Sequence, residues 1–350
     1  MTLALVPHSR PWITSKDVEY VANFVKSGMI STGEVVERFQ NLLVGFVGSA
    51  DGVLTRSGTQ AIAIGLLSIG VKKGDEVIIP TYVCKNVFDA VVYIGASPVI
   101  CDTDQNGLID YANASRKMSQ KVKAIVAVHT FGFACNIEEL RQLNVPILED
   151  ACQAFGFKLG SKLAGTIGDV GVFSFHPTKC LTSGEGGMLV SDNFEIIQRA
   201  REILESTKFG LNNGSVISDV NASLGISQLT RYQTFLDRRS FIKDLYNDSL
   251  SSYLINYPTN IEDNLSFRYV FRMKSDFEHI SKYFSDNGVV VRRGVDQLLH
   301  RSVRIPSTDY LNAENLFEEN ISIPFYPSLT DDEISRICLL LKEISNVDKI

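Results

Sequence analysis

Short apolar runs alternate with longer helix-like stretches along the first two thirds of the chain. Seven such runs are apolar at nearly every position and are bounded by Gly, Pro, Asp or Ser, a pattern typical of strands buried on both faces. Helices between most of these runs make a largely parallel sheet the expected arrangement, and the fold class is therefore α/β. The predicted strands are residues 52–55, 76–80, 97–101, 122–129, 146–148, 170–175 and 187–190.

The pattern changes after about residue 230. Strand-like FRYVFRM and VVVRRGV are followed by NISIPFYPSLT, which leads into a helix. Thr330 and Glu333 form a predicted capping box at the start of this helix, whose apolar face repeats at helical spacing. We expect a large domain over residues 1–230, with its N-terminal segment against a smaller α+β domain over residues 231–350. The apolar face consists of Ile334, Ile337, Leu340 and Leu341.

Composition excludes several classes of protein. A net charge of −6 and a pI near 5.5 argue against binding to nucleic acid or to an anionic membrane surface. No signal peptide or membrane span is recognisable, so a cytoplasmic location is expected. Six dispersed cysteines without CxxC spacing argue against zinc and disulfides. The stretch DTDQNG resembles a calcium loop, but Asn113 stands at its twelfth position, and no metal is expected.

The most informative residue is Lys179, on a loop between two predicted strands. A lysine beside a buried strand can lose part of its hydration, which makes the amine a nucleophile toward an aldehyde. Ser174 could offer a hydroxyl to a phosphate, and Gly184 and Gly186 let the backbone approach a ligand closely. Lys179 is thus a candidate Schiff-base lysine, although most loop lysines are simply solvated.

A phosphate site is predicted where VLTRSGTQAIAIGLLSIG passes from a strand into a helix that is apolar on every face. The N-terminus of that helix carries free N–H groups and the positive end of the helix dipole. Ser57, Gly58 and Thr59 begin the helix, and the alternative reading is an ordinary N-cap without a ligand.

A carboxylate is predicted at the end of the strand in VPILEDACQAFG, which finishes with Glu149 and Asp150. Facing a pyridinium N–H, such a carboxylate would keep the ring protonated and able to accept electrons. The alternative is a strand-end Asp that caps the next helix. A lysine, a phosphate site and a carboxylate are together what pyridoxal 5′-phosphate (PLP) requires.

Seven blocks, in order, resemble the DegT/StrS family of PLP-dependent sugar aminotransferases, within the aspartate-aminotransferase fold type I. The likeness runs nearly end to end. The blocks are SGMISTG (27–33), SGTQAI (57–62), GDEVIIPTYVC (74–84), HTFGFACNIEEL (129–140), EDACQAFG (149–156), SFHPTKCLTSGEGG (174–187) and ISIPFYPSLTDDEI (321–334).

The resemblance implies a set of cofactor contacts. Lys179 would anchor PLP, Asp150 would pair with the pyridine nitrogen, and Gln153 would lie near the ring or its hydroxyl. The phosphate would be held at the start of the predicted helix and by the strand before Lys179. The residues implied at the phosphate are Gly58, Thr59, the Gln60 N–H and Ser174.

Some positions depart from the family pattern. Cys84 stands where many members place an aromatic residue on the PLP ring. Asn213 is expected to replace a cross-subunit asparagine, because Gly214 and Val216 occupy the places of the family's asparagine and arginine. His300 is a candidate substrate contact. The family's dimers imply a homodimer with its sites at the subunit boundary.

The function that follows is transfer of an amino group, with glutamate as expected donor, to a keto sugar linked to a nucleotide in amino-sugar biosynthesis. Lys179 would act as general base and acid. A sugar dehydratase of the same family is the nearest alternative, and in those enzymes a histidine takes the place of the lysine. A non-catalytic PLP-binding regulatory protein is the other alternative.

Overall fold

A seven-stranded sheet dominates the computed structural model, which describes residues 4–28, 30–206, 216–250, 267–274 and 276–347. The strands are β1 Asp51–Thr55, β2 Glu76–Pro80, β3 Ser97–Cys101, β4 Val122–Val128, β5 Ile147–Asp150, β6 Lys158–Leu159, β7 Lys162–Leu163, β8 Val170–Ser174, β9 Gly187–Ser191, β10 Tyr269–Arg272, β11 Arg292–Arg293 and β12 Asn320–Ile323.

The order in this sheet is β1-β9-β8-β5-β4-β2-β3, and β9 runs antiparallel to the other six strands, which are parallel to one another. The predicted α/β class with a mostly parallel seven-stranded sheet is therefore confirmed. All seven predicted strands are present, with ends displaced by at most two residues. Because β5 reaches Asp150, the two acidic residues belong to the strand itself.

Helices cover both faces of this sheet. They are α1 Ser15–Lys26, α2 Glu34–Val47, α3 Gly58–Ser68, α4 Lys85–Tyr93, α5 Tyr111–Arg116, α6 Ile137–Leu140, α7 Phe194–Glu205, α8 Asp219–Thr230, α9 Tyr232–Ser249, α10 Phe277–Asp286, α11 Leu299–Ser302, α12 Leu311–Glu319 and α13 Asp331–Val347. Helix α3 packs on β8 and β9 and is buried on nearly every side. A helix without a polar face is stable only in such a position.

A second, three-stranded sheet has the order β10-β12-β11 and is antiparallel. Its core includes the buried face of α13 and also Val6, which pairs with Val289. The capping box predicted for α13 is present, since Thr330 N–H donates to Glu333 Oε2 at 2.8 Å and Glu333 N–H donates to Thr330 Oγ1 at 3.2 Å. Helix α9 joins the cores of the two sheets, with Phe235 in one and Ile242 in the other.

None of the helices in the described part of the chain is both long enough and apolar enough to cross a membrane.

Candidate functional site

A cavity of about 490 Å³ lies at the carboxyl edge of the large sheet. Ligands in open α/β sheets bind at this edge, because the loops that follow parallel strands converge there. Helix α3 begins on one wall, β5 and β8 end on another, and the loop after β8 closes the site. Of the residues predicted from the sequence, the cavity brings together Gly58, Thr59, Cys84, Asp150, Gln153, Ser174 and Lys179.

The start of α3 forms one end of the cavity. Thr59 Oγ1 accepts a hydrogen bond from Asn86 Nδ2 at 3.0 Å, which leaves the threonine O–H available to a ligand. The Gln60 N–H, implied at the phosphate, instead donates to the N-cap Ser57 Oγ at 3.2 Å, and Gln60 does not line the cavity. A Cβ on Gly58 would lie 2.8 Å from the Ser174 Cβ, so glycine permits this close packing.

Asp150 lines the cavity at the end of β5. Its side chain is buried, and Oδ1 accepts the Cys152 N–H at 3.0 Å. A carboxylate has about four lone-pair sites, so capacity remains for a further donor from the cavity. The pyridinium N–H of PLP could supply this hydrogen bond.

Gln153 is oriented by a strained turn. Its Oε1 accepts the N–H of Phe131 at 2.8 Å, and Phe131 has a positive φ of 57°, which is unusual for a residue with a side chain. Since the amide oxygen is occupied, the Nε2 donors of Gln153 remain for the cavity. At the next position Gly132 has φ 90°, and a Cβ there would lie 2.4 Å from the Phe157 ring.

Lys179 Nζ lies 5.1 Å from the centre of the Phe267 ring. Among the described residues it has no carboxylate within ion-pair distance, so its amine is available for chemistry. Cys84 is exposed toward the cavity, and desolvation by the cavity walls followed by the charge of Asp150 raises the pKa of its thiol. The thiol therefore stays protonated, as a small neutral group beside the ligand.

Glu149 and His129 form a buried network behind the site. The Cys135 N–H donates to Nδ1 of His129, so Nε2 carries the proton and donates to Glu149 Oε2 at 2.9 Å. Glu149 also accepts the N–H groups of Gly165 and Gly168. Burial raises the pKa of Glu149, but the hydrogen bonds outweigh this and hold the pKa below its ordinary value. His129 thus has a structural role, with partners on both ring nitrogens, and it does not line the cavity.

His300 does not line the cavity, contrary to the expectation that it contacts the substrate. Its side chain is fully buried, with Nδ1 2.8 Å from Thr81 Oγ1 and Nε2 2.8 Å from Glu314 Oε1. Because both ring nitrogens already have partners, His300 fastens α11 to its surroundings. Asp102, directly after β3, also lies outside the cavity and accepts N–H groups at the start of α12. Asn213 lies outside the described residues.

The sequence matches the DegT/DnrJ/EryC1/StrS aminotransferase family over residues 11–342. The chain belongs to this family. It is 28% identical to the GDP-perosamine synthase of Escherichia coli O157:H7 over 97% of this chain and 98% of that protein. Among solved structures, the aminotransferase TlmJ from Streptoalloteichus hindustanus is 26% identical, with a TM-score of 0.90 over 98% of this chain and 99% of TlmJ.

The Spr1654 protein of Streptococcus pneumoniae, in its PLP form, has the same fold, with a TM-score of 0.88 and 24% identity over 98% of this chain and 99% of that one. The cavity of this chain fits PLP, because a helix N-terminus, a buried carboxylate and a lysine without an ion-pair partner among the described residues line the same space. The chain is a PLP-dependent aminotransferase of the DegT/DnrJ/EryC1/StrS family.

Several cavity residues were missed by the sequence argument. Asn86 lies two residues after Cys84, in the first turn of α4, and its contact with Thr59 has no sequence signature. His176, three residues before Lys179, also lines the cavity. Phe267 and Arg268 also line it, although they follow Lys179 by almost ninety positions. The Phe267 N–H donates to the Phe131 carbonyl at 2.7 Å, and this tertiary contact brings them to the site.

Proposed function

We propose that this enzyme transfers an amino group from glutamate to a ketone on a sugar linked to a nucleotide, as a step of amino-sugar biosynthesis. The observation that supports this best is that Lys179, Asp150 and the start of α3 line one cavity. A cavity of about 490 Å³ lies within the ~300–1,000 Å³ common for ligand pockets. The kinship with a GDP-perosamine synthase supports a nucleotide-linked acceptor.

The start of α3 and the hydroxyls of Thr59 and Ser174 would bind the cofactor phosphate. Asp150 would hold the ring N–H, and Gln153 Nε2 would donate to the ring hydroxyl oxygen. When bound, PLP supplies an aldehyde that captures the amino group and a ring that accepts electrons. These contacts would hold the cofactor beside Lys179.

Lys179 Nζ would carry the proton in both halves of the reaction. With the donor present, the neutral amine would take the proton from the donor's α-carbon and pass it to the cofactor carbon that keeps the nitrogen. With the keto sugar present, the amine would take the proton from that cofactor carbon and pass it to the sugar carbon that receives nitrogen. Lys179 also distinguishes this function from the dehydratase alternative. The family resemblance implies that dehydratases have a histidine at this position, whereas this chain has a lysine.

The experiment is a two-step turnover of the PLP-loaded protein. Glutamate is added first, and loss of the visible PLP absorption with formation of 2-oxoglutarate reports the donor step. A nucleotide-linked 4-keto-6-deoxy sugar is then added, and mass spectrometry identifies an amino sugar. Loss of water without gain of nitrogen would indicate the dehydratase, and no change in either step would indicate a regulatory protein. Lys179→Ala is the control.

The enzyme is further proposed to act as a homodimer in the cytoplasm. All six cysteines in the described chain are free thiols, which suits a reducing compartment. Apolar side chains are exposed on two helices that both pack on α8, Leu42 and Phe46 on α2 and Val18 on α1. Sedimentation of an active monomer would contradict the dimer. Asn213→Ala tests the cross-subunit phosphate contact, with an expected loss of about 1.5–3 kcal/mol in PLP binding.

A further inference from the structure

A second cavity, of about 180 Å³, adjoins the first. It lies between the N-terminal segment, the loop that carries Lys179 and the residues around β12 of the small sheet. Lys179, Thr178, Phe267 and Arg268 line both cavities, so the two spaces meet beside the reactive amine.

The second cavity is strongly cationic. None of the described residues that line it is acidic. Two of its arginines are already engaged: Arg10 forms an ion pair with Glu333 at 2.6 Å, and Arg239 donates to the carbonyls of Phe267 and Phe325. The cationic side chains at the cavity are Arg10, Lys179, Arg239, Arg268 and Arg292.

Arg268 and Arg292 form no ion pair in the described chain. Arg268 Nη1 donates to the Gly294 carbonyl at 3.1 Å, but neither guanidinium has a carboxylate within ion-pair distance in the described chain. Burial lowers the pKa of Arg268, the negative charge of Asp296 opposes this from beyond ion-pair distance, and the charge of Arg292 lowers the pKa further. Burial and the same two cations lower the pKa of His8 to about 3, so this histidine is neutral. Two like charges facing one space are stabilised when an anion binds between them.

The position relative to Lys179 indicates which anion. The donor's amino group must reach the cofactor carbon to which the Lys179 amine would otherwise be joined. The donor's α-carboxylate is one bond from the donor carbon that reacts. A cationic side chain that lines both cavities, as that of Arg268 does, is therefore within reach of the donor's carboxylate. The volume of about 180 Å³ is below the ~300–1,000 Å³ typical of pockets for larger ligands, so it suits an amino acid better than a nucleotide sugar.

We propose that Arg268, assisted by Arg292, binds a carboxylate of the amino donor in this second cavity. The proposal rests on the proposed aminotransferase function, because it assigns the donor to one side of Lys179 and leaves the first cavity to the cofactor and the sugar. Arginine suits the role because its planar fork can bind both carboxylate oxygens at once.

The test is titration calorimetry of the PLP-loaded enzyme with glutarate, a dicarboxylate that has glutamate's spacing of carboxylates but no amine to react. Arg268→Met is expected to weaken glutarate binding at least about tenfold, and Arg292→Met by a smaller factor. Arg268→Lys keeps the charge and should retain part of the affinity. Arg116→Met, which removes an exposed cation that lines neither cavity, should leave it unchanged.

The same variants are titrated with GDP and dTDP. Weaker nucleotide binding with unchanged glutarate binding would overturn the proposal, since the anion would then be the acceptor's diphosphate. Glutarate binding that is equal in wild type and Arg268→Met would also overturn it. If Arg268→Met does not fold, the glutarate affinities of Arg268→Lys and Arg292→Met are compared with that of wild type instead. A protein that binds glutarate through Arg268 yet aminates no sugar would defeat the proposed acceptor and leave this site standing.

Discussion

Glu149 Oε2 lies 2.9 Å from Nε2 of His129, and neither side chain is exposed to solvent. The next residue along β5, Asp150, faces the cofactor cavity instead. Successive side chains of a strand point to opposite faces, so one acidic dipeptide serves two purposes. Glu149 fixes the loop through Gly165 and Gly168, and Asp150 remains for the ligand.

Loss of Glu149 should destabilise the fold. Glu149→Ala leaves the imidazole N–H of His129 and several loop N–H groups without an acceptor, at a cost of about 3–5 kcal/mol. Urea unfolding of the apo protein measures this. Glu138→Gln is the control, because the Glu138 side chain is exposed and its pair with Arg141 is a surface contact, for which a change within ~0.5 kcal/mol is expected. Equal midpoints for both variants would contradict the prediction.

Lys179 should be the residue that carries PLP. Borohydride reduction of the loaded protein, followed by peptide mapping, is expected to place a pyridoxyl group on this lysine. The reason is that its amine has no ion-pair partner in the described chain and faces the cavity. Lys179→Ala should lose both the label and the turnover. A label on another lysine in the wild type would remove Lys179 from the proposed role.

Asp150→Asn should retain PLP but lose most of its rate with glutamate. An amide can still contact the ring nitrogen, yet it has no negative charge to hold a proton there. We expect the rate of PLP disappearance to fall at least about tenfold, equivalent to ~1.4 kcal/mol in the barrier. Stopped-flow absorbance gives this rate, and a wild-type value would exclude Asp150 from the site.

Gly58→Ala should weaken both folding and PLP binding. The new Cβ would lie 2.8 Å from Ser174 Cβ and 3.0 Å from Cys152 Sγ, so β8 and α3 must move apart. Such overpacking costs about 1–3 kcal/mol. Gly45→Ala in α2 is the matched control, because its Cβ meets no atom within 4 Å and should add up to ~1 kcal/mol of helix stability. Thermal unfolding with and without PLP compares the two, and wild-type behaviour of Gly58→Ala would refute the steric argument.

Glu314 should contribute to stability in a pH-dependent way. The hydrogen bond from Arg301 is the main reason that the pKa of Glu314 falls from 4.5 to about 2. Because the folded-state pKa is the lower one, this contribution is complete above about pH 4.5 and is lost as the pH falls toward 2. Urea midpoints of wild type should therefore fall more steeply than those of Glu314→Gln between about pH 5 and pH 3. Parallel curves would contradict the prediction.

Much of the fold could be predicted from the sequence, because strands and helices follow from local patterns of apolar residues. The seven strands of the large sheet were found with ends within two residues, as was the capping box of Thr330 and Glu333. Asp150 and Ser174 were placed near strand ends by the same patterns, and parallel strands bring their carboxyl ends to one edge.

Contacts between distant segments could not be read from local patterns. His300 was expected at the substrate, but Thr81 and Glu314, more than two hundred positions apart in sequence, occupy both of its ring nitrogens. Arg268 was passed over as part of a strand-like run, yet its position beside Lys179 and Arg292 makes the second cavity cationic. The sequence by itself determined the strands, the helices and the residue types of the cofactor site. Only the tertiary structure decided which polar groups are already satisfied and which face a cavity, because hydrogen bonding and charge depend on neighbours that folding brings together.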